Sequence, residues 1–243
     1  MKKLIFFAVL LFGAINILPA QDFIAKGKIE FEIKRHTQKL IPEKYREQFA
    51  DYYATLPEYD ISYFDLIFSG NKSIFKKGRE VESRYNSYNE KSVFTDLDKK
   101  QIVKKIFIAA DYVLIEDSVS TVKWKIENET RKIAGWECRK AVGKINDSVY
   151  VVAFYCPEII PQLGPELFTG LPGTILGLAI PQYYTTWFAT KVELANIDEN
   201  KIVAPSIKKA KLYSKKELAE LLMQKDKTKS IKDLMASLSK YTL

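Results

Sequence analysis

Few residues in this chain have the types and spacing to do chemistry. His36 is the sole histidine, so a Ser-His-Asp or Cys-His nucleophile, or a histidine-clustered zinc site, would have to pass through it. Its setting, beside Arg35, Thr37 and Gln38, reads as an exposed strand end. Cys138 and Cys156 are the two thiols, and neither a C-x-x-C spacing nor a nearby histidine lowers a thiol pKa. Glu158 and Glu166 are acids of the kind that work in pairs on a glycosidic bond, but no spacing singles them out. Gly170-x-x-Gly173 is not a phosphate cradle, because Pro172 removes one of the backbone N–H donors. There is no P-loop and no G-x-G-x-x-G. The residues therefore nominate no catalytic group, metal or cofactor, and an acid-based hydrolase stays as one alternative.

The N-terminus sets the compartment. Lys2 and Lys3 precede an apolar run from Leu4 to Leu18, and Pro19-Ala20 then meet Gln21-Asp22. That is the pattern of a signal peptide cut after Ala20. The run, about 15 residues, is short of the roughly 20 that span a bilayer. Residues 1–20 are thus expected to be a signal peptide and 21–243 a single exported domain, periplasmic or extracellular, with no transmembrane segment after cleavage. The formal charge of +8 is concentrated at one end: residues 208–243 carry ten lysines against four acids, whereas 21–207 has 26 basic and 26 acidic residues. A neutral body is no nucleic-acid footprint. The lysine-rich tail is either a solvated face or a contact for anionic lipid or an acidic partner.

The elements that must position these residues are mostly strands. Lys26 to Arg35 alternates strictly, with Ile29, Phe31 and Ile33 on one face. Phe64, Leu66 and Phe68 repeat the pattern, and Ser69-Gly70-Asn71-Lys72 is a hairpin turn into Ile74-Phe75. Further strands are expected at 91–97, 101–108, 111–116, 121–127, 135–144, 148–156, 183–194 and 201–204. Short polar connections favour an antiparallel meander over βαβ crossovers. Residues 42–54 change period and predict a helix with Tyr45, Phe49 and Tyr52 on one side. Capping boxes at Ser214-x-x-Glu217 and Ser230-x-x-Asp233 predict two amphipathic C-terminal helices.

Two stretches are candidates for binding. Tyr45, Phe49, Tyr52 and Tyr53 open an aromatic cluster that runs on through Tyr59 and Tyr63 to Phe68; it suits a groove for a lipid, glycan or peptide, or a helix packed on a sheet with wet phenol tips. In the second, Gly164, Pro165, Phe168, Gly170, Leu171, Pro172, Gly173, Thr174 and Ile175 combine turn residues with apolar ones. With Pro172-Gly173 suited to a type II turn, this is either the plug of a curved sheet or a docking corner. Cys138 and Cys156, on the arms of one hairpin, are expected to form a disulfide in an exported chain. They face each other if the turn centres on Asp147 and has an odd number of residues.

Trp124-Lys125-Ile126, Glu129-Thr130-Arg131-Lys132-Ile133-x-Gly135-Trp136-x-Cys138-x-Lys140-Ala141, Tyr155-x-Pro157-Glu158-Ile159 and Gly164-Pro165-x-x-Phe168-x-Gly170-Leu171-Pro172-Gly173 occur in that order. Together they resemble the GLPGLI family of exported Gram-negative bacterial proteins, with Thr174 in place of a leucine. The resemblance implies no assigned catalytic residue, metal or cofactor. It implies periplasmic work near outer-membrane, TonB-dependent receptors. The expected fold is α+β and mainly β: a strongly curved antiparallel sheet, with an open half-barrel like the lipoprotein carriers as one form, carrying one N-terminal helix and C-terminal amphipathic helices. The expected function is a non-enzymatic binding or accessory protein whose partner is an outer-membrane protein or a lipophilic ligand. A carrier of a lipophilic small molecule is the nearest alternative.

Overall fold

The computed structural model describes residues 23–40, 47–48, 50–81, 91–108, 111–119, 122–145, 149–208 and 211–225. The two-residue periods become the strands β1 (Lys26–His36), β2 (Tyr59–Ser69), β3 (Lys72–Lys77), β4 (Ser92–Asp96), β5 (Gln101–Ile108) and β6 (Asp111–Ser118). They are followed by β7 (Lys125–Ile133), β8 (Trp136–Ile145), β9 (Val149–Cys156), β10 (Thr174–Ile180), β11 (Thr185–Leu194) and β12 (Leu212–Ser214). All twelve join one sheet, in the order β12-β6-β5-β4-β3-β2-β1-β11-β10-β9-β8-β7. Every pairing is antiparallel except that of β12 with β6. The mainly β, antiparallel expectation holds.

The order is two meanders that meet at β1. The first runs outward from β1 to β6; the second starts at the far edge with β7 and returns to β1 through β11. Only residues 119–124 connect β6 to β7, a reach of about 24 Å at full extension. A flat sheet would put those strands about 48 Å apart at the usual strand spacing. The two halves must therefore turn toward each other. Arg131 of β7 accordingly lies 4.9 Å over the Phe188 ring of β11, and a methyl on Gly177 of β10 would come within 2.8 Å of Ile133 Cδ1.

The inner face holds the core. Ile29, Phe31 and Ile33 are fully buried and pair across the ladder with Leu66, Phe64 and Ser62. Phe75 stacks on Phe64 at 5.1 Å and meets Phe31 edge-on at 6.0 Å, arrangements that add to area burial. Helix α1 (Ala50–Ala54) is five residues long with none buried; most of the rest of the helix expected over 42–54 lies outside the described residues. Of the aromatic candidates on that stretch, Tyr45 and Phe49 lie outside the described residues. Helix α2 (Lys215–Lys225) follows the first C-terminal capping box: Ser214 Oγ accepts from the Glu217 N–H, and the Glu217 carboxylate accepts from the Ser214 N–H. Leu218 and Ala219 of α2 are buried against Ile106 and Ile115. The second capping box, at 230–233, is outside the described residues.

The thiol hairpin corrects one expectation and keeps its geometry. Pairs run from Arg139↔Tyr155 to Ile145↔Val149, the register that sets Cys138 opposite Cys156, with three residues between the strands. The disulfide itself is absent: both cysteines are free and buried. The Cys138 thiol hydrogen-bonds to Cys156, which raises its pKa further than burial alone and lowers that of Cys156. Cys138 Sγ also donates to Trp136 O, at 3.6 Å.

Pro172-Gly173 also differs from expectation. Gly173 N–H donates to Leu171 O at 2.8 Å, a three-residue γ-turn for which the fixed φ of proline is suited. Gly173 has φ +142° and touches the neighbouring backbone, so a Cβ there would lie 2.2 Å from Cys156 O. Gly70 has φ +55° and open space around it. In urea unfolding, Gly173→Ala is expected to cost about 3 kcal/mol or more, through overlap with immovable backbone. Gly70→Ala should cost about 1 kcal/mol, for backbone conformation alone. Equal losses would contradict this packing.

Candidate functional site

The segment from Pro157 to Gly173 leaves β9 and folds across the inner face before β10 begins. Its backbone is tied down along its length. Ile24 N–H donates to Glu158 O and Ile160 N–H to Ile24 O, both at 2.9 Å; Thr174 N–H donates to Ile159 O and Ile175 N–H to Leu163 O, both at 2.8 Å. Thr174 Oγ1 donates to Pro161 O at 2.6 Å, and Trp124 Nε1 donates to Thr169 O at 2.9 Å. Leu163, Phe168, Leu171 and Ile175 are buried with Ile159, and so are Gly164, Pro165, Gly173 and Thr174. Only Gly170 and Pro172 of the candidate motif face solvent. The motif is a plug, and its wet side is small.

The plug carries a charge into the core. Glu166 has a left-handed backbone, φ 57°, and its side chain is 0% exposed. Its carboxylate lies 2.6 Å from the ammonium of Lys91, which is 9% exposed. The contact is an ion pair whose angles leave neither carboxylate oxygen a well-aligned hydrogen bond. Arg35, on the same face, pairs across the ladder with Asp60. Burial draws the Arg35 guanidinium pKa down, while Asp60 and Glu166 oppose that shift. Lys104 completes the group. Its side chain is fully buried, 3.9 Å from Asp117, and burial followed by the charge of Lys215 holds its pKa well below that of an ordinary lysine.

A second feature sits on the outer face, at the end of β1 and β2. His36 pairs with Tyr59; its ring is 5.0 Å from Tyr59 and 6.4 Å from Tyr184. Lys34 lies 3.9 Å over Tyr59 and Lys39 lies 5.3 Å over Tyr184. His36 is therefore packed rather than an exposed strand end. Its Nε2 is 3.8 Å from Glu58, and its buried Nδ1 has no hydrogen-bond partner among the described residues. Helix α1 hangs from the same end, since Thr37 bonds Pro57 and Glu58. It adds Tyr52 and Tyr53, whose rings meet at 5.5 Å. Tyr52, Tyr59 and Tyr184 stay 56%, 37% and 46% exposed. Of the aromatic candidates read from sequence, Tyr52 and Tyr53 thus meet each other on α1, while His36 packs with Tyr59 and Tyr184.

Sequence reasoning did not find Lys91, Lys104 or Tyr184. Glu166 was visible only as an acid among thirty. A lysine in a strand, like Lys104 in Gln101–Ile108, or just before one, like Lys91 before Ser92–Asp96, gives no local sign that it points inward.

No protein-family model and no curated protein matches the chain. Among solved structures it is similar to PNGF-II in a C2 crystal form, with 14% identity and a TM-score of 0.52 over 86% of this chain and 32% of that one. The P21 form of PNGF-II gives 14% identity and a TM-score of 0.52, over 83% and 33%. An uncharacterized conserved protein from Thermus thermophilus follows, at 6% identity and a TM-score of 0.43, over 80% of this chain and 93% of that one. The chain spans about a third of the PNGF-II chain, and at this identity the likeness is one of fold.

The Lys91–Glu166 pair makes its own prediction. Removing one partner strands the other charge in the core, so Glu166→Gln is expected to cost about 3–5 kcal/mol in urea unfolding. Replacing both, as Lys91→Met with Glu166→Met, should cost clearly less. A double variant as unstable as the sum of the two single ones would contradict the pairing.

Proposed function

We propose that the chain is an exported, non-enzymatic binding or accessory protein of the GLPGLI type, and that it holds a protein partner on the aromatic rim at the His36 end. The observation that carries this reading is the combination of half-exposed Tyr59 and Tyr184 with the orphaned His36 Nδ1 packed beside them. Tyrosines held on a rigid scaffold supply contact area at low entropic cost, and they are enriched where proteins meet. A buried polar atom lacking a partner is a cost that a docking donor or acceptor would remove.

The filled inner face supports the same reading over a lipophilic carrier. The sheet's form would be an open half-barrel, but Phe31, Phe64, Phe68 and Phe75, with the Pro157–Gly173 plug, fill the space in which a carrier would hold an acyl chain. The setting we propose is the periplasm beside the outer membrane, with a TonB-dependent receptor system as the source of the partner. Among the described residues no helix is long and apolar enough to cross a membrane.

Native isolation of the exported protein from its own cell envelope, by crosslinking and mass spectrometry, tests this. The expected result is one dominant crosslinked protein, lost in a Tyr59→Ser/Tyr184→Ser variant that melts like the parent. An acyl lipid extracted in equimolar amount, with no crosslinked protein, would overturn it in favour of a carrier.

A further inference from the structure

A groove opens at the other end of the sheet, away from the aromatic rim. It lies between the turn that joins β4 to β5 and the first turn of α2, with a cavity volume of about 670 Å³. That is within the range of small-ligand sites. One wall supplies Lys99 and Lys100; the facing wall, more than a hundred residues later in the chain, supplies Lys215 and Lys216. Glu116 and Asp117 line the floor.

The two carboxylates are already engaged. Glu116 accepts from Gln101 Nε2 at 2.5 Å. Asp117 Oδ1 accepts from the Ser118 N–H at 3.0 Å. Its Oδ2 lies 2.6 Å from Lys215 and 3.9 Å from the buried Lys104. Two ammonium groups therefore converge on one carboxylate, and Lys215 and Lys104 repel each other there. Lys216 lies 3.9 Å from Glu220 along the exposed helix, a contact of small value in water. No carboxylate comes within 4 Å of the Lys99 or Lys100 ammonium among the described residues.

The groove thus carries an excess of positive charge on two facing walls, with its internal acids spent. The α2 N-terminus is closed by its own capping box, so the ammonium groups rather than backbone N–H groups are the donors. A phosphate dianion, with more charge and more acceptor oxygens, suits this excess of ammonium groups better than a single carboxylate. It can accept several charge-assisted hydrogen bonds and offset the repulsion between Lys104 and Lys215.

We propose that this groove binds the phosphate group of an anionic ligand, either a free phosphate compound or the headgroup of an anionic lipid. The proposal stands independently of the partner assigned to the aromatic rim.

Calorimetric titration of the purified protein with inorganic pyrophosphate at constant ionic strength, with acetate as control, tests it. It is run beside flotation on phosphatidylglycerol and on phosphatidylcholine vesicles. Lys99→Glu/Lys100→Glu removes one wall without touching the core. Lys229→Glu/Lys232→Glu makes the same charge change in the tail. Single-site pyrophosphate binding that weakens about tenfold or more in the first variant and little in the second supports a free phosphate ligand. Weak pyrophosphate binding, but retention on phosphatidylglycerol that only the first variant abolishes, supports a headgroup. Binding that is absent, equal with acetate, unchanged by Lys99→Glu/Lys100→Glu, or lost to the same degree in the tail variant overturns the proposal.

Discussion

Lys91 and Glu166 meet at 2.6 Å with almost no water around them, and much of the interior depends on that contact. Taking two charges out of water costs several kcal/mol each, and their attraction offsets this only when the geometry is held. Here the geometry is held by covalent and hydrogen-bonded constraint on both sides. Lys91 immediately precedes β4, which is paired on both edges. Glu166 stands on a segment whose backbone is bonded to β1's approach, to β9's exit and to Trp124. The plug cannot lift without stranding Lys91, and the sheet cannot flatten without exposing the plug's apolar residues.

The short β6–β7 connection is the second link in that chain of cause. A connection of six residues between β6, next to one edge of the sheet, and β7, at the other edge, draws the two halves toward each other. The Pro157–Gly173 plug takes the middle and α2 covers β5 and β6. The exposed edges are managed locally. Strand β7 is charged along most of its length and exposed on both faces, a composition that resists pairing with another chain. On the other edge, β12 is only three residues long and runs straight into α2.

The parts legible in the sequence are those whose physics is local. Strict alternation in Lys26 to Arg35 marks β1 because only one of its faces is buried. Ser214-x-x-Glu217 marks the start of α2 because the cap is made within four residues. The strand Thr174–Ile180 was hidden for the opposite reason: after Thr174 it is apolar, and it is buried on both faces, so no period shows. Strand β7 shows no period either, being wet on both faces. Its turn, Ala134-Gly135, has both φ values positive and would have been read from an Asn-Gly pair more readily than from alanine. Glu166 and Lys91 are 75 positions apart. The disulfide expectation rested on compartment and register; the register is present, and the bond is not.

The buried, hydrogen-bonded plug is the claim on which the rest turns, and amide hydrogen exchange measures it directly. The account predicts that the Thr174 and Ile175 amides, which donate to Ile159 and Leu163, exchange as slowly as the central amides of β9. Exchange of those two amides within seconds, while β9 stays protected, would show a segment that opens freely and would contradict the account.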